Sequence, residues 1–482
     1  MPRINGSRVI AASPSHPILF KIPACGQGKL LFSIKDLPKG LSLDSEKGVI
    51  QGKICEKGEY AFTVVVQDEI GEAQRELLAI IGQGLCLTPF MGWNSWYCHS
   101  ELISEQHLRK VAEYFVQTDL INHGWTYINI DDCWQAIRQG DNPIQPNERF
   151  TDIQQMVTDI HALGLKVGIY STPWVSTYAG FNGGSVLNDR TFGVLPMDQR
   201  LQIDQIYGRW PGLEKQGVNR IGDKWLFDID AKQWAEWGID FVKVDWLPND
   251  VATTKQIYQD LQQIDRDVVI SLSNNAPLEN ACALGQYCHA VRTTSDIQAD
   301  WSLVKRNFEL QLAWLPYMKP GYWLDPDMLL VGNIAKPNQQ NTVFLPSPLT
   351  QAEQRTQMSF WCLLSAPLLI SCDVTHLDQF TLSLLTNDDA IDINQDYPAK
   401  APERIYQQEG IEIWRKPLHN NGVAVGIFNL SDTQQSLTLD LSTYFNAEQH
   451  ILNVWQQQIQ SVNDRLHLDI AAHDTVLFKT II

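Results

Sequence analysis

Phe241-Val242-Lys243-Val244-Asp245-Trp246 combines alternating apolar residues with a charged end. Branched and aromatic side chains at every second position are typical of a buried strand. In parallel α/β folds, the loops at the carboxyl ends of the strands build the pocket, so Asp245 at such an end indicates a functional site. A single aspartate at a strand end caps a turn roughly as often as it forms part of a site. Recurrence of the pattern on other strands decides between these two interpretations.

The same pattern recurs through the middle of the chain. Eight ranges are predicted as strands: 89–96, 127–131, 166–171, 241–246, 268–273, 290–296, 322–327 and 367–371. Helical periodicity falls between them, at 104–115, 151–163, 231–237, 253–264 and 350–364. Eight strands with crossovers favour an α/β fold of the (β/α)8 TIM barrel type over an open doubly wound sheet. The first strand is not followed by a glycine-rich phosphate loop or a dinucleotide fingerprint.

The two ends of the chain carry strand patterns without helices. Short alternating runs between turn signals such as Pro38-Lys39-Gly40 predict an N-terminal β-sandwich over 1–84. This region resembles the immunoglobulin-like domains found beside bacterial carbohydrate enzymes. Alternation beyond Asp396 predicts a C-terminal antiparallel β-sandwich over 399–482, so the barrel is assigned to 85–398. The stretch 183–226 fits neither strand nor helix and is interpreted as an insert beside the site.

The composition excludes several classes of protein. With 44% hydrophobic and 19% charged residues, the 482-residue chain is globular, and its length indicates two or three domains. A net charge of −18 argues against nucleic-acid and membrane-surface partners, which need a basic patch. The nine cysteines lack zinc-site spacing, and no export signal is visible near Met1, so we expect reduced thiols and a cytoplasmic location. A trimmed secreted or periplasmic form would look the same.

Most predicted strands end in polar or aromatic residues. These are Trp93 and Trp96, Asp131 and Asp132, Tyr170, Lys243 and Asp245, Ser273 and Asn274, Arg292 and Asp296, and Asp325 and Asp327. Caps alone would not supply carboxylates on four strands of eight. Carboxylates with a lysine, an arginine and aromatics are typical of glycoside hydrolases, in which two acids flank the scissile bond.

Metal-dependent hydrolysis is the competing interpretation of these carboxylates. The histidine-rich ligand sets of zinc and iron hydrolases are missing from the sequence, so we predict neither a catalytic metal nor a cofactor. A magnesium site built from Asp131, Asp132, Asp325 and Asp327 stays open as a minor alternative.

Six motifs carry a resemblance to a known family. They are Gly92-Trp93-Asn94-Ser95-Trp96, Asp131-Asp132-Cys133-Trp134, Lys243-Val244-Asp245, Arg292 with Asp296, Asp325-Pro326-Asp327-Met328 and Ile393-Asn394-Gln395-Asp396. Their order over residues 86–400 resembles the family 27 glycoside hydrolases, typified by α-galactosidase (melibiase). The resemblance implies an exo-acting, retaining hydrolase of terminal α-D-galactosyl residues in oligosaccharides or glycoconjugates. The alternatives are α-N-acetylgalactosaminidase, β-L-arabinopyranosidase, an α-glucan-cleaving member, or a non-catalytic carbohydrate-binding barrel.

The resemblance also implies roles for individual residues. Asp245 would be the nucleophile, kept ionised partly by Lys243, and Asp296 the general acid and base. Trp96 would stack on the sugar, and Asp131, Asp132 and Lys243 would take its 3-, 4- and 6-hydroxyls. The remaining substrate-binding residues would be Arg292, Ser273 and Asn274 at the 2-position, with Tyr170, Tyr178, Asp327 and Met328 completing the wall.

Three departures from the family pattern affect specificity and redox state. Family members usually carry Cys-Glu-Trp-Pro after the fifth strand, and that glutamate contacts the 2-position. This chain has Ser273-Asn274-Asn275-Ala276-Pro277, so we expect looser discrimination there. Trp246 replaces a frequent cysteine and a serine aligns with the partner of Cys288, which implies that disulfides of secreted relatives are absent. The insert from Gly183 is expected to restrict the aglycone.

Overall fold

The computed structural model describes residues 1–187, 220–335, 343–445, 450–462 and 465–481. Most of the predicted insert 183–226 therefore lies outside the described residues. All nine cysteines are among the described residues, and none forms a disulfide. Within the described part of the chain, no helix is long and apolar enough to cross a membrane.

The predicted (β/α)8 barrel is confirmed. Its strands are Met91–Asn94, Tyr127–Asn129, Lys166–Ser171, Phe241–Asp245, Val269–Ser273, Ala290–Arg292, Trp323–Asp325 and Leu368–Ile370. Each predicted range contains one of them, and neighbouring strands pair in parallel, with the eighth strand beside the first. Beyond the seventh strand, the Leu329 N–H donates to the Leu369 carbonyl at 2.8 Å, which closes the ring against the eighth.

Helices connect the strands and cover the barrel. The longer ones are Glu105–Gln117, Ile153–His161, Phe227–Trp237, Val251–Leu261, Trp301–Trp314 and Gln351–Leu364; shorter ones are Trp96–His99, Ala281–Leu284, Gln379–Leu385 and Asp388–Asn394. Asp152, Asp250 and Asp300 each cap a helix by accepting a backbone N–H from its first turn. A short 3-10 turn, Leu120–His123, lies just before the second barrel strand.

The N-terminal region is an immunoglobulin-like pair of sheets with its own core. Its strands are Arg3–Ile4, Val9–Ala12, Ile18–Lys21, Ala24–Cys25, Leu31–Lys35, Leu41–Asp44, Val49–Gly52, Gly58–Gln67 and Glu72–Ile81. A four-stranded and a three-stranded sheet enclose buried side chains that include Phe32, Ile50 and Phe62. At the barrel, His16 and the Ser13 N–H both bond Asp267, which lies just before the fifth barrel strand. The N-terminal region therefore docks at the amino ends of the barrel strands.

The C-terminal region is antiparallel β structure, as predicted. Its strands are Glu403–Gln408, Ile411–Pro417, Val423–Asn429, Gln435–Asp440, His450–Asn453, Gln458–Ser461, Arg465–Ile470 and Thr475–Thr480. It packs on the helix Gln351–Leu364, where the Phe360 and Phe428 rings stack at 3.9 Å and Arg355 pairs with Asp474 at 2.9 Å. The exact domain limits at 84 and 398 stay predictions.

Candidate active site

Asp245 ends the fourth barrel strand and is buried, with only 7% of its surface exposed. Its Oδ2 accepts a hydrogen bond from the Tyr170 hydroxyl at 3.1 Å, which orients the carboxylate. Its Oδ1 has no hydrogen-bond partner among the described residues. A buried carboxylate oxygen without a partner is rare in folded proteins, so this atom is available to a ligand or a reacting carbon.

Lys243 supplies the positive charge beside Asp245. Its Nζ donates to Asp131 Oδ2 at 2.8 Å and lies 5.3 Å from the centre of the Tyr170 ring. Burial lowers the pKa of Lys243, but the charges of Asp131 and Asp245 outweigh burial and leave its pKa well above the usual range. Lys243 is therefore a permanent cation that links the ends of the second and fourth strands.

Asn94 was not predicted as a site residue, but it positions one. Its Nδ2 donates to the Asp131 Oδ2 at 2.8 Å, and its Oδ1 accepts the Trp96 N–H at 2.9 Å. The half-buried Trp96 is thus fixed relative to the Asp131 carboxylate. The position of Asn94 at the end of the first strand, inside the first motif, was the signal that could have identified it.

Asp132 is buried and held by backbone groups. Its two carboxylate oxygens accept the N–H groups of Cys133 at 2.7 Å and Ala179 at 3.0 Å. Burial raises the pKa of Asp132 to about 7, against the lowering effect of these hydrogen bonds. Ala179 follows Tyr178, whose ring packs edge to face on Trp174 with centroids 5.3 Å apart, so the predicted residue Tyr178 lies in the loop that holds Asp132.

Arg292 joins the acids at the ends of the sixth and seventh strands. It donates to Asp296 Oδ1 at 2.7 Å and makes a close ion pair with Asp327 Oδ1. Burial lowers the pKa of Arg292, but Asp327 and Asp296 raise it more, so the guanidinium stays charged. The Asp327 carboxylate also accepts the N–H groups of Ile297 and Met328, at 2.7 and 2.8 Å. Asp327 is thus a rigid anchor that holds Arg292 in place.

The Asp296 side chain is 43% exposed, while those of Arg292 and Asp327 are 5% and 1% exposed. One Asp296 oxygen is anchored on Arg292, and the carboxyl group stays accessible to solvent. An acid that exchanges protons with a leaving group and with water needs this access. Asp245 and Asp296 are therefore two carboxylates with different environments, one buried and one exposed, and the charge of Asp296 acts on Asp245.

Some of the predicted residues line a small cavity inside the barrel. It has a volume of about 20 Å3 and is lined by Asn94, Phe241, Lys243, Ser271, Ser273, Arg292, Asp325, Asp327, Met328 and Leu369. Ser273 is buried, and its Oγ has no partner among the described residues. Asn274 is half-buried, and its carbonyl accepts the Asn249 amide at 3.0 Å. Trp96 and Tyr178 do not line this cavity.

Two of the four aspartates of the alternative magnesium site are paired with cations. Asp131 is bound by Lys243, while Asp327 is bound by Arg292. Burial raises the pKa of Asp325 to about 6, although Arg292 opposes this rise. Carboxylates that are already paired with fixed cations are suited to accepting hydrogen bonds from hydroxyl groups.

A barrel mouth with a buried carboxylate, an exposed carboxylate and fixed cations beside them is typical of a glycoside hydrolase. Comparison with known protein families identifies the family within this class. The model described as "Alpha galactosidase A" matches residues 88–222 and 215–396, and the chain belongs to this family. Models of the alpha galactosidase C-terminal beta sandwich domain and of an Ig domain match residues 408–480 and 2–80. The family predicted from the six motifs is thereby confirmed.

Known proteins are similar to this chain over most of its length, in sequence and in structure. Alpha-galactosidase 2 of Arabidopsis thaliana is 30% identical over 366 residues, which cover 74% of this chain and 80% of the relative. A crystallised candidate alpha-galactosidase of Bacteroides fragilis is 28% identical, with a TM-score of 0.84 over 100% of this chain and 98% of that chain. A β-L-arabinopyranosidase of Geobacillus stearothermophilus, 24% identical, shares the fold with a TM-score of 0.67 over 82% of this chain and 96% of that chain.

Proposed function

We propose that the protein removes terminal α-D-galactosyl residues from oligosaccharides or glycoconjugates, with retention of configuration. The observation that carries this proposal is the pair Asp245 and Asp296. Asp245 offers a buried oxygen that no group of the described residues bonds, and Asp296 is exposed and anchored on Arg292. In a retaining glycosidase one carboxylate attacks the anomeric carbon and the other transfers the proton.

In the first step, an Asp245 oxygen forms a bond to C1 as the glycosidic bond breaks. Asp296, protonated at this stage, gives its proton to the leaving oxygen. Arg292 keeps the Asp296 side chain in place without blocking its access to solvent. The result is a glycosyl ester on Asp245 and a released alcohol.

In the second step, ionised Asp296 removes a proton from water, and the water oxygen attacks C1. The ester bond to Asp245 breaks, and its electron pair returns to the carboxylate. The Tyr170 hydroxyl and the charge of Lys243 stabilise that carboxylate as it leaves. Two inversions at C1 give net retention.

The acid limb of the pH profile should report Asp245. Burial raises the pKa of Asp245 to about 7, and Lys243 opposes the rise. Because only the ionised form attacks, kcat/KM should fall as pH decreases through about 7. Tyr170→Phe removes a hydrogen bond that favours the ionised form, so it should shift this limb to higher pH. Measurement of kcat/KM on a 4-nitrophenyl glycoside, from about three pH units below this midpoint to about two above it, tests this shift. A limb that stays in place or moves to lower pH contradicts it.

The choice between a sugar with a 6-hydroxymethyl group and one without it depends on Asp132. An aspartate leaves room for the 6-hydroxymethyl group and accepts its hydroxyl, whereas a glutamate would extend into that space. A polar group left unpaired discriminates strongly against a ligand that lacks the hydroxyl. We therefore expect α-D-galactoside to be cleaved at least ~10-fold faster than β-L-arabinopyranoside, and Asp132→Glu to narrow or reverse the ratio.

A comparison of kcat/KM for 4-nitrophenyl glycosides on wild type and Asp132→Glu measures this preference. Asp159→Glu, at an exposed aspartate on the helix Ile153–His161, is the matched control and should leave the ratio unchanged. A wild type that prefers the arabinoside would overturn the assignment of Asp132. Preference for the N-acetylgalactosaminide would instead favour α-N-acetylgalactosaminidase, because Ser273 and Asn274 offer smaller side chains than the family glutamate at the 2-position.

A cytoplasmic location is part of the same proposal. It is supported by nine cysteines that form no disulfide. Titration of the denatured, unreduced protein should give nine thiols. A lower number would point to export and oxidation.

A further inference from the structure

Three side chains that commonly bind metal ions meet between the N-terminal region and the barrel. They are Cys25 from the N-terminal region, His123 from the turn before the second barrel strand, and Asp388 from the start of the helix Asp388–Asn394. The Cys25 Sγ lies 3.7 Å from His123 Nδ1 and 3.9 Å from Asp388 Oδ2. The His123 Nδ1 lies 2.7 Å from Asp388 Oδ1. In the described part of the chain, no other three such groups place their ligand atoms within 4.8 Å of one another.

We propose that Cys25, His123 and Asp388 bind a zinc ion that fastens the N-terminal region to the barrel. Bond lengths of ~2.3 Å to sulfur and ~2.0 Å to nitrogen or oxygen give ligand separations of ~3.5 Å in a tetrahedral site. The two distances from Sγ are already within a few tenths of an ångström of this value. Only the short contact between His123 and Asp388 must open, which a side-chain rotation achieves.

The donor set favours zinc over the hard cations. A thiolate and an imidazole suit zinc, whereas magnesium and calcium prefer oxygen ligands alone. Three protein ligands leave a fourth position, which water can fill. Water can reach this position because the His123 and Asp388 side chains are each 12% exposed.

The surroundings hold the Cys25 sulfur in place. The Asn5 Nδ2 donates to the Cys25 Sγ at 3.1 Å, and Asn5 itself is completely buried. A hydrogen bond from a fixed amide to sulfur is the kind of second-layer contact that stabilises metal-bound thiolates. The neighbouring acids do not compete, because Arg3 pairs with Asp389 at 2.9 Å and with Asp392 at 2.8 Å.

The site lies away from the proposed chemistry. His123 precedes the second strand at its amino end, while Asp245 and Asp296 follow the carboxyl ends of their strands. Zinc would therefore act on stability and not on turnover. Because the ion would join residues distant in sequence, its binding adds to the free energy of unfolding.

Cobalt titration of the metal-free full-length chain tests the site directly. One equivalent of Co2+ should produce a near-ultraviolet sulfur-to-cobalt charge-transfer band, and Zn2+ should remove the band by displacement. C25S should abolish the band, and H123Q should weaken Co2+ binding by at least ~10-fold. C55S is the matched control, since Cys55 is an exposed cysteine of the same region and should not change the titration.

Thermal unfolding provides the second measurement. Zn2+ should raise the Tm of wild type and C55S but not that of C25S or H123Q, and turnover should be unchanged by chelator below the Tm. Absence of the charge-transfer band in wild type would overturn the proposal even if the variants failed to fold. A band that persists in C25S, or equal zinc stabilisation of C25S and wild type, would likewise overturn it and leave a hydrogen-bonded cluster without metal.

Discussion

Asp245→Ala should lower kcat on 4-nitrophenyl α-D-galactoside by ~10^4-fold or more. Without this carboxylate no glycosyl ester forms, and the exposed Asp296 cannot take its place because its position is fixed by Arg292. Asp245→Asn should have a comparable effect, since the amide still accepts the Tyr170 hydrogen bond but is not a nucleophile. Steady-state kinetics with an active-site titration of the wild type gives the ratio.

The free energy of unfolding shows whether the Asp245→Asn protein is intact. A folded-state pKa of about 7 lies above the ordinary carboxyl value, so the folded state binds the proton more tightly than the unfolded state. The ionised carboxylate therefore costs stability above that pKa, and the cost disappears as pH falls toward ~4. Asp245→Asn should be at least as stable as wild type at pH ~8, with the difference vanishing in acid.

Asp250→Asn is the matched kinetic control, because Asp250 lies five residues away in sequence and only caps the helix Val251–Leu261. It should lose little stability, because asparagine caps a helix about as well as aspartate, and no turnover beyond a few-fold. Near-normal kcat in folded Asp245→Ala would disprove the nucleophile assignment. An Asp245→Asn protein that is much less stable than wild type at pH ~8 would show that the carboxylate has a structural role instead.

The barrel could be predicted because each strand has a local signature. A fully buried parallel strand is a short apolar run, and its carboxyl end is marked by a polar side chain such as Asp245 or Arg292. All eight runs were recognisable for this reason. The helix Trp301–Trp314 was not predicted, because Asn307 and Gln311 are buried on the face that also carries Phe308. These two amides bond Thr293, Thr294 and the loop before Asp327, so tertiary contacts override the expected apolar stripe.

The candidate site was predictable in its residue types but not in its connections. Sequence spacing places Arg292 and Asp296 four residues apart, and their contact at 2.7 Å follows easily from that spacing. The Arg292 contact with Asp327 and the Asn94 contact with Asp131 each join two neighbouring strands and depend on how those strands pair. The cluster of Cys25, His123 and Asp388 spans three distant segments, and no local pattern connects them.

Asp296→Ala should separate the two chemical steps. A 4-nitrophenolate leaving group needs little protonation, so formation of the glycosyl ester on Asp245 should be nearly unaffected. Hydrolysis of that ester needs the general base and should slow by ~10^2–10^4-fold. We expect a pre-steady-state burst of 4-nitrophenol followed by slow turnover, with a low KM because the ester accumulates. Substrates with poor leaving groups, such as galactosyl oligosaccharides, should lose activity in the first step as well.

Azide distinguishes the loss of a base from general damage to the site. A small anionic nucleophile needs no proton removed, so it should restore turnover of Asp296→Ala and yield a glycosyl azide of the same anomeric configuration as the substrate. Asp300→Asn, at an exposed aspartate that caps the helix Trp301–Trp314, should show neither the burst nor an azide effect. A glycosyl azide of inverted configuration would mean that azide attacks the substrate directly with no ester on Asp245, and Asp296 would then not be the acid and base of a retaining reaction.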